Sequence, residues 1–303
     1  MASLRVKIAG IHLKNPIILA SGTCGYGREL AAIYDLSRLG GLAVKGTTLL
    51  PRLGNNPPRI AETASGLLNS VGLQNPGVKS VIENELPFLA NFNTAIIVNI
   101  AGHSLDDYRQ TAEHLEAAGN FAAVELNISC PNIAEGGMAF GTDTKVAASI
   151  TSAVRQATTK PLIVKLSPNV TDIAAIAQAV EAAGADAISL INTLQGLAID
   201  LASRKPVLGA VTGGLSGPAI KPIALRMVWQ VKKAINIPII GMGGIASAAD
   251  ALEFMLAGAN AIQIGAAAFG DPLLPLKVAE GMAQWLDAQG VADVNELVGA
   301  LEV

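Results

Sequence analysis

Two kinds of apolar phrase alternate along the chain. In the first, a Pro or a polar residue leads into a β-branched run: NPIILASG (15–22), NTAIIVNIAG (93–102), KPLIVKLSP (160–168) and IPIIGMGGI (237–245). In the second, a helix ends at Gly and the chain re-enters an apolar strand within a few residues: LGGLAVKGTT (39–48), AAGNFAAVELNIS (117–129), AAGADAISLINT (182–193) and LAGANAIQIGAA (256–267). The Gly of the second type suits a left-handed helix C-cap. Taken together the phrases predict eight strands. Between most of them the periodicity is helical, clearest at 104–118, 172–183 and 248–257, with Asp172 and either Ser247 or Asp250 placed to cap helix starts.

Strands that are apolar throughout belong to a parallel sheet covered by helices. Eight strand–helix units closing on themselves give an α/β fold, the (β/α)8 TIM barrel; an open doubly wound sheet is the competing arrangement. No linker or shift in composition marks a second domain, so residues 1–303 read as a single barrel domain. Three connections are too long for turns: 46–76, 130–143 and 194–217. All three follow strand C-termini, the end at which a barrel does its chemistry.

Composition narrows the function. Hydrophobic residues make up 51% of the chain and charged ones 15%, which supplies a large core and little that resembles disorder. A formal charge of −3, without any Lys/Arg cluster, offers no surface for nucleic acid. Two cysteines are too few for a disulfide framework or a four-thiolate metal site, although a single Cys24–Cys130 bridge stays open. The opening MASLRVKIAG lacks the apolar core of a signal peptide and no apolar run is long enough to span a bilayer, so the expected location is cytoplasmic.

The predicted strand tips carry the candidate chemistry. In chain order they bear Ser21 and Gly22, Lys45 and Gly46, Asn99, Asn127 with Cys130, Lys165, Asn192 and Thr193, Gly243 and Gly244, then Gly265 and Ala266. No His, Asp or Glu stands at a tip, since Glu125 lies further back in its strand. Metal hydrolysis, a Ser–His–Asp triad and a paired-carboxylate glycosidase are all poorly served. Asn amides each present a donor and an acceptor, and several converging suit a flat ring that alternates C=O and N–H, as a pyrimidine does. The connection 46–76 adds Asn69 and Asn75. Strand-end Asn residues can equally satisfy loop backbone.

GMGGIAS (241–247) and IGAAAFG (264–270), joined by TGGLSGPAIKP (212–222), precede helices and would let backbone approach a phosphate. Lys45 and Lys165 are open to three readings: a Schiff-base nucleophile, a fixed positive charge for an anionic ligand, or a lysine reaching solvent. A lone Cys is commonly buried filler. Cys130 differs in standing beside Pro at a strand end, opening a Gly-rich connection with no His or carboxylate nearby, which makes its thiol the best general base on the rim. Cys24 keeps the structural reading.

VKGTT, NSVGLQNPG, NISCPN, VKLSPN, INT, GGLSGPAIKP and GMGGI, in that order over essentially the whole chain, resemble dihydroorotate dehydrogenases. The resemblance implies a barrel with one FMN per chain that oxidises dihydroorotate to orotate in pyrimidine (UMP) synthesis. Cys130 would take a proton from one ring carbon while the adjacent carbon gives hydride to the flavin. Asn69, Asn127, Asn192 and Thr193, with the segment Ser70, Val71, Gly72 and Leu73, would hold the pyrimidine, and Lys45 would face substrate carboxylate and flavin. Lys165 would sit against the flavin ring. Ser21, Gly46, Asn99, Asn127, Ile191, Gly217, Gly243, Gly244, Gly265 and Ala266 would complete the FMN site.

The resemblance also implies a subclass. The membrane-associated branch carries an N-terminal extension and a Ser base, whereas here the first strand begins by Ile17 and the base is Cys. PNIAEGGMAFGTD is more similar to the NAD-linked type than to the fumarate-linked homodimer. That type implies a heterotetramer of two catalytic and two electron-transfer subunits, with FAD and a [2Fe–2S] cluster only in the partner, and an exposed apolar patch for docking. The rival readings are a dihydropyrimidine dehydrogenase-like flavin barrel, a Schiff-base aldolase using Lys45 or Lys165, and a non-catalytic binding barrel.

Overall fold

The computed structural model describes residues 2–129 and 141–303. All eight expected strands form: β1 (Ile17–Leu19), β2 (Gly41–Ala43), β3 (Ala95–Ile100), β4 (Ala123–Asn127), β5 (Leu162–Lys165), β6 (Ala187–Leu190), β7 (Ile239–Met242) and β8 (Ala261–Ile264). Each pairs in parallel with the next, and β8 returns to β1 through Ile262↔Ile17 and Ile264↔Leu19. That last pairing closes the (β/α)8 barrel and excludes the open sheet. The strands lack polar alternation because both their faces are covered: Ile17, Ile18 and Leu19 are wholly buried, as are Leu162, Ile163 and Val164.

Six helices of ten residues or more follow β3 to β8: α1 (Leu105–Ala118), α2 (Thr144–Ala157), α3 (Ile173–Ala182), α4 (Lys221–Lys232), α5 (Ala248–Ala257) and α6 (Leu274–Gln289). The helical elements after β1 and β2 are shorter pieces, Arg28–Ala31 and the run 78–89. Local chemistry fixes the starts. Ser104 accepts from the Asp107 N–H while the Asp107 carboxylate accepts from the Ser104 N–H, a reciprocal cap for α1. Asp172 accepts from Ala174 and Ala175 at the start of α3. Of the two candidates for α5, Ser247 is the cap, and Asp250 instead accepts from the Ala246 N–H and pairs with Lys221 at 2.6 Å.

The Gly of the second phrase type plays its expected part at Gly119 and Gly258, which cap α1 and α5. Gly40 departs from it. Its φ is not left-handed; a Cβ there would stand 2.0 Å from the Asn15 carbonyl oxygen, so close backbone approach, not helix termination, demands glycine.

Two of the long connections hold strands that local pattern did not mark. Ile60–Thr63 and Gly66–Asn69 from the first, with Leu194–Leu197 and Thr212–Ser216 from the third, form one antiparallel sheet ordered 194–197, 212–216, 66–69, 60–63. The two connections meet at Gly214↔Asn69, Leu215↔Leu68 and Ser216↔Leu67. Exposed large apolar side chains are frequent in them, among them Leu53, Ile60, Leu197, Ile199 and Leu201. Of the connection 130–143, residues 130–140, Cys130 included, lie outside the described residues. Among the described residues no helix is long and apolar enough to cross a membrane.

Candidate active site

The C-terminal ends of the strands open into a cavity of about 690 Å³, walled on one side by Asn69, Thr212 and Gly214 of the four-stranded sheet. Every described residue that the resemblance places at the site lines it. Ser21 follows β1, Lys45 and Gly46 follow β2, and Asn99 lies on β3. Asn127 ends β4, Lys165 ends β5, and Ile191, Asn192 and Thr193 follow β6. Gly243 and Gly244 follow β7, and Gly265 and Ala266 follow β8. The connections add Asn69, Ser70, Val71, Gly72 and Leu73 from one side and Gly217 from the other. Cys130 lies outside the described residues; Ser129 and Thr142, described on either side of that stretch, both line the cavity.

The amides divide by what already occupies them. Asn75 is committed to its own loop. Its Oδ1 accepts from Thr48 and Gly77 N–H groups, its Nδ2 donates to Thr48 Oγ1 and the Leu73 carbonyl, and it does not line the cavity. Asn127 Oδ1 accepts from the Ser129 N–H at 3.1 Å and from Asn192 Nδ2 at 3.4 Å, which leaves its Nδ2 without a partner among the described residues. Asn69 Nδ2 reaches the Gly214 carbonyl at 3.3 Å across the sheet, leaving Oδ1 without a partner among the described residues. The rim therefore offers both a free amide donor and a free acceptor, the pattern that a ring of alternating C=O and N–H requires.

Two cations share the other wall. Lys165 is only 5% exposed and its Nζ lies 3.5 Å from Ser21 Oγ, so it does not reach bulk solvent. Burial holds the Lys45 ammonium below its ordinary pKa, opposed by Cys24 and reinforced by the Lys165 charge. Two confined positive charges beside a neutral amide rim select an anionic ligand. Cys24 is a buried free thiol that donates to the Ala43 carbonyl at 3.1 Å, and burial pushes its pKa up to about 12, which suits the structural reading. No His, Cys, Asp or Glu lines the cavity among the described residues, and those residues hold no cluster of such side chains that could bind a metal.

The expected phosphate cradle assembles at the far end. Gly217, Gly243 and Gly244 all have positive φ (96°, 122° and 78°). A Cβ on Gly244 would stand 2.7 Å from the Lys221 backbone N and 2.9 Å from the Gly217 carbonyl, so the loops that carry Gly217 and Gly244 touch through bare backbone. Such a nest of backbone at the starts of α4 and α5 is suited to a phosphate.

Sequence reasoning passed over several contributors. Tyr108 of α1 is wholly buried and donates its hydroxyl to the Asn127 carbonyl at 2.8 Å, pinning the end of β4. Asn169 donates to the Thr193 carbonyl and accepts from the Gln195 N–H, pinning the segment after β6; its position in VKLSPN was the available signal. Below the lysines lies a polar layer where a barrel interior ordinarily packs branched aliphatics. Glu125 there accepts from Asn99 Nδ2 at 2.6 Å, Gln263 Nε2 at 2.7 Å and Ser189 Oγ at 2.9 Å.

The family model for dihydroorotate dehydrogenase matches residues 3–286. The catalytic subunit of dihydroorotate dehydrogenase B (NAD(+)) from Trichlorobacter lovleyi is 56% identical over 300 residues, covering 99% of each chain. The protein of the same description from Bacteroides fragilis is 56% identical over 303 residues, covering 100% of each. Among solved structures, the crystal structure of DHODH in complex with ferulenol from Eimeria tenella superposes with a TM-score of 0.83 at 23% identity, covering 98% of this chain and 88% of that one. That last likeness concerns the fold.

Proposed function

We propose a function from one premise: the chain belongs to the dihydroorotate dehydrogenase family. It oxidises dihydroorotate to orotate in pyrimidine synthesis, as the catalytic subunit of an NAD-linked enzyme. The observation that carries this reading is the convergence of all the expected and described site residues on one cavity, in a chain 56% identical over its length to catalytic subunits of that description.

The cavity fits FMN. Its Gly-lined nest suits the phosphate, Lys165 supplies positive charge, and two buried acceptors, Asn99 Oδ1 and Gln263 Oε1, lack partners among the described residues. Ser21, Lys45, Gly46, Asn99, Asn127, Lys165, Ile191, Gly217, Gly243, Gly244, Gly265 and Ala266 would hold it, one FMN in the single barrel domain 1–303. When bound, FMN supplies the two-electron acceptor for hydride. The chain's own residues do the rest. Lys45 pairs with the substrate carboxylate, while Asn69, Asn127, Asn192 and Thr193, with backbone of Ser70, Val71, Gly72 and Leu73, match the ring's donors and acceptors. Cys130 removes the proton from the carbon beside the one that loses hydride, and a C=C bond forms between them.

Electrons bound for NAD⁺ leave through a second subunit carrying FAD and a [2Fe–2S] cluster, two of each subunit forming the assembly. A chain whose sulfur ligands are Cys24, buried, and Cys130 supplies too few thiolates for such a cluster. The setting is cytoplasmic. The visible spectrum tests these points together. The purified protein is expected to be yellow and to be bleached anaerobically by dihydroorotate but not by dihydrouracil, with iron–sulfur absorbance only when the partner accompanies it. Bleaching by dihydrouracil would favour the dihydropyrimidine dehydrogenase-like barrel, and rapid reoxidation of the isolated chain by fumarate would favour the homodimeric class. A colourless protein overturns the reading.

A further inference from the structure

The layer around Glu125 is not explained by packing alone. Glu125 lies on β4 and reaches Gln263 on β8, the opposite strand of the eight-membered ring, so its carboxylate stands near the barrel axis. Asn99 comes from β3, where it faces Glu125 in register, and Ser189 from β6. None of these side chains is more than 1% exposed.

A side-chain amide can turn either its NH2 or its oxygen toward a neighbour. An ionised carboxylate only accepts, so it decides the orientation of both amides at once. Their NH2 groups are directed to Glu125, and their oxygens are left facing away. Both oxygens, Asn99 Oδ1 and Gln263 Oε1, are buried without a partner among the described residues, and both side chains line the cavity. A Cβ on Gly46 would stand 3.0 Å from Asn99 Oδ1, which locates that oxygen at the cavity wall beside the tip of β2. Buried acceptors in native proteins ordinarily find donors, so two left open in one layer mark a place where a ligand brings the donor.

We propose that Glu125 is a positioning residue: it turns the Asn99 and Gln263 amides so that their oxygens form the acceptor floor of the cavity, which receives a ring N–H of the bound flavin. The inference rests on the FMN reading. The pyrimidine-like ring of a flavin carries one imide N–H between two carbonyls. The oxygens of this floor match the N–H, and the Lys165 ammonium stands at the same end of the barrel to match a carbonyl.

The test uses flavin exchange on the purified enzyme, with binding followed by quenching of flavin fluorescence. Wild-type enzyme stripped of flavin should bind FMN at least about tenfold more tightly than 3-methyl-FMN, which lacks the imide N–H. Glu125→Gln has nearly the same shape but can donate, and so releases the amides to turn. It should bind FMN about tenfold more weakly, and its preference for FMN over 3-methyl-FMN should shrink to about twofold, a ratio that a merely structural role for Glu125 would not move. A variant that discriminates between the two flavins as wild type does overturns the proposal. Should Glu125→Gln fail to fold, Gln263→Met removes one oxygen at similar volume: weakened FMN binding supports the proposal, and unchanged binding overturns it. Wild-type protein that takes up no flavin overturns the cofactor reading and this proposal with it, an outcome distinct from equal binding by wild type and variant.

Discussion

The floor and the rim of the cavity are built differently. On the floor, Asn99, Glu125, Ser189 and Gln263 are buried to within 1% and joined by hydrogen bonds of 2.6 to 2.9 Å. On the rim, Asn69, Asn127, Asn192 and Thr193 are half-buried, and the contacts donated by the NH2 groups of Asn69 and Asn192 are 3.3 and 3.4 Å. A buried network tied together by short hydrogen bonds to one carboxylate is rigid and sets donors and acceptors before a ligand arrives. A looser, wetter rim can exchange its partners. The difference suits a cofactor that stays and a substrate that must come and go.

The division can be broken most directly at Cys130. Cys130→Ala is expected to slow flavin reduction by dihydroorotate by about 10²–10⁴-fold, the range of a general base, with FMN still bound. Loss of flavin from the variant would show that the two regions are not separable. A stability contrast comes next. Ile18→Ala in β1, wholly buried, should cost about 2–5 kcal/mol. Leu197→Ala, in the sheet beside the rim and 50% exposed, should cost less than about 0.5 kcal/mol. Denaturant midpoints measure both, and equal costs would deny that the barrel carries the fold. Asn69→Ala should raise KM for dihydroorotate by about tenfold and leave FMN affinity alone, a split that steady-state kinetics and flavin titration read separately.

The smallest effect is on pH dependence. Burial pushes Cys24 and Tyr34 up to about 12, from ordinary values of 9.0 and 10.0. Above pH 9 the unfolded chain releases protons that the folded chain keeps, so their contribution is whole below pH 9 and is lost as pH rises toward 12. Lys45, held below its ordinary value, acts in the opposite sense. Cys24→Ala should make the alkaline decline shallower in urea titrations at several pH values, and a steeper decline would contradict the assignment of Cys24 to the barrel wall.

The eight strands, the cap at Asp172, and the Gly, Lys and Asn residues at the strand tips could all be read from the chain. Each depends on neighbours within a few residues: apolar runs that need two covered faces, short polar side chains that reach the next N–H groups, and strand ends that the fold places on one rim. Tertiary structure decided the rest. Pairing of Asn69 with Gly214 joins positions 145 residues apart, with glycines that carry no strand signal. Only the folded loop shows that Asn75 is spent on Thr48 and Gly77 while Asn69 keeps an open oxygen. Glu125 looked remote from the tips because its place in β4 is set back. Its partners come from β3, β6 and β8, and closure of the barrel is what brings one carboxylate against all three.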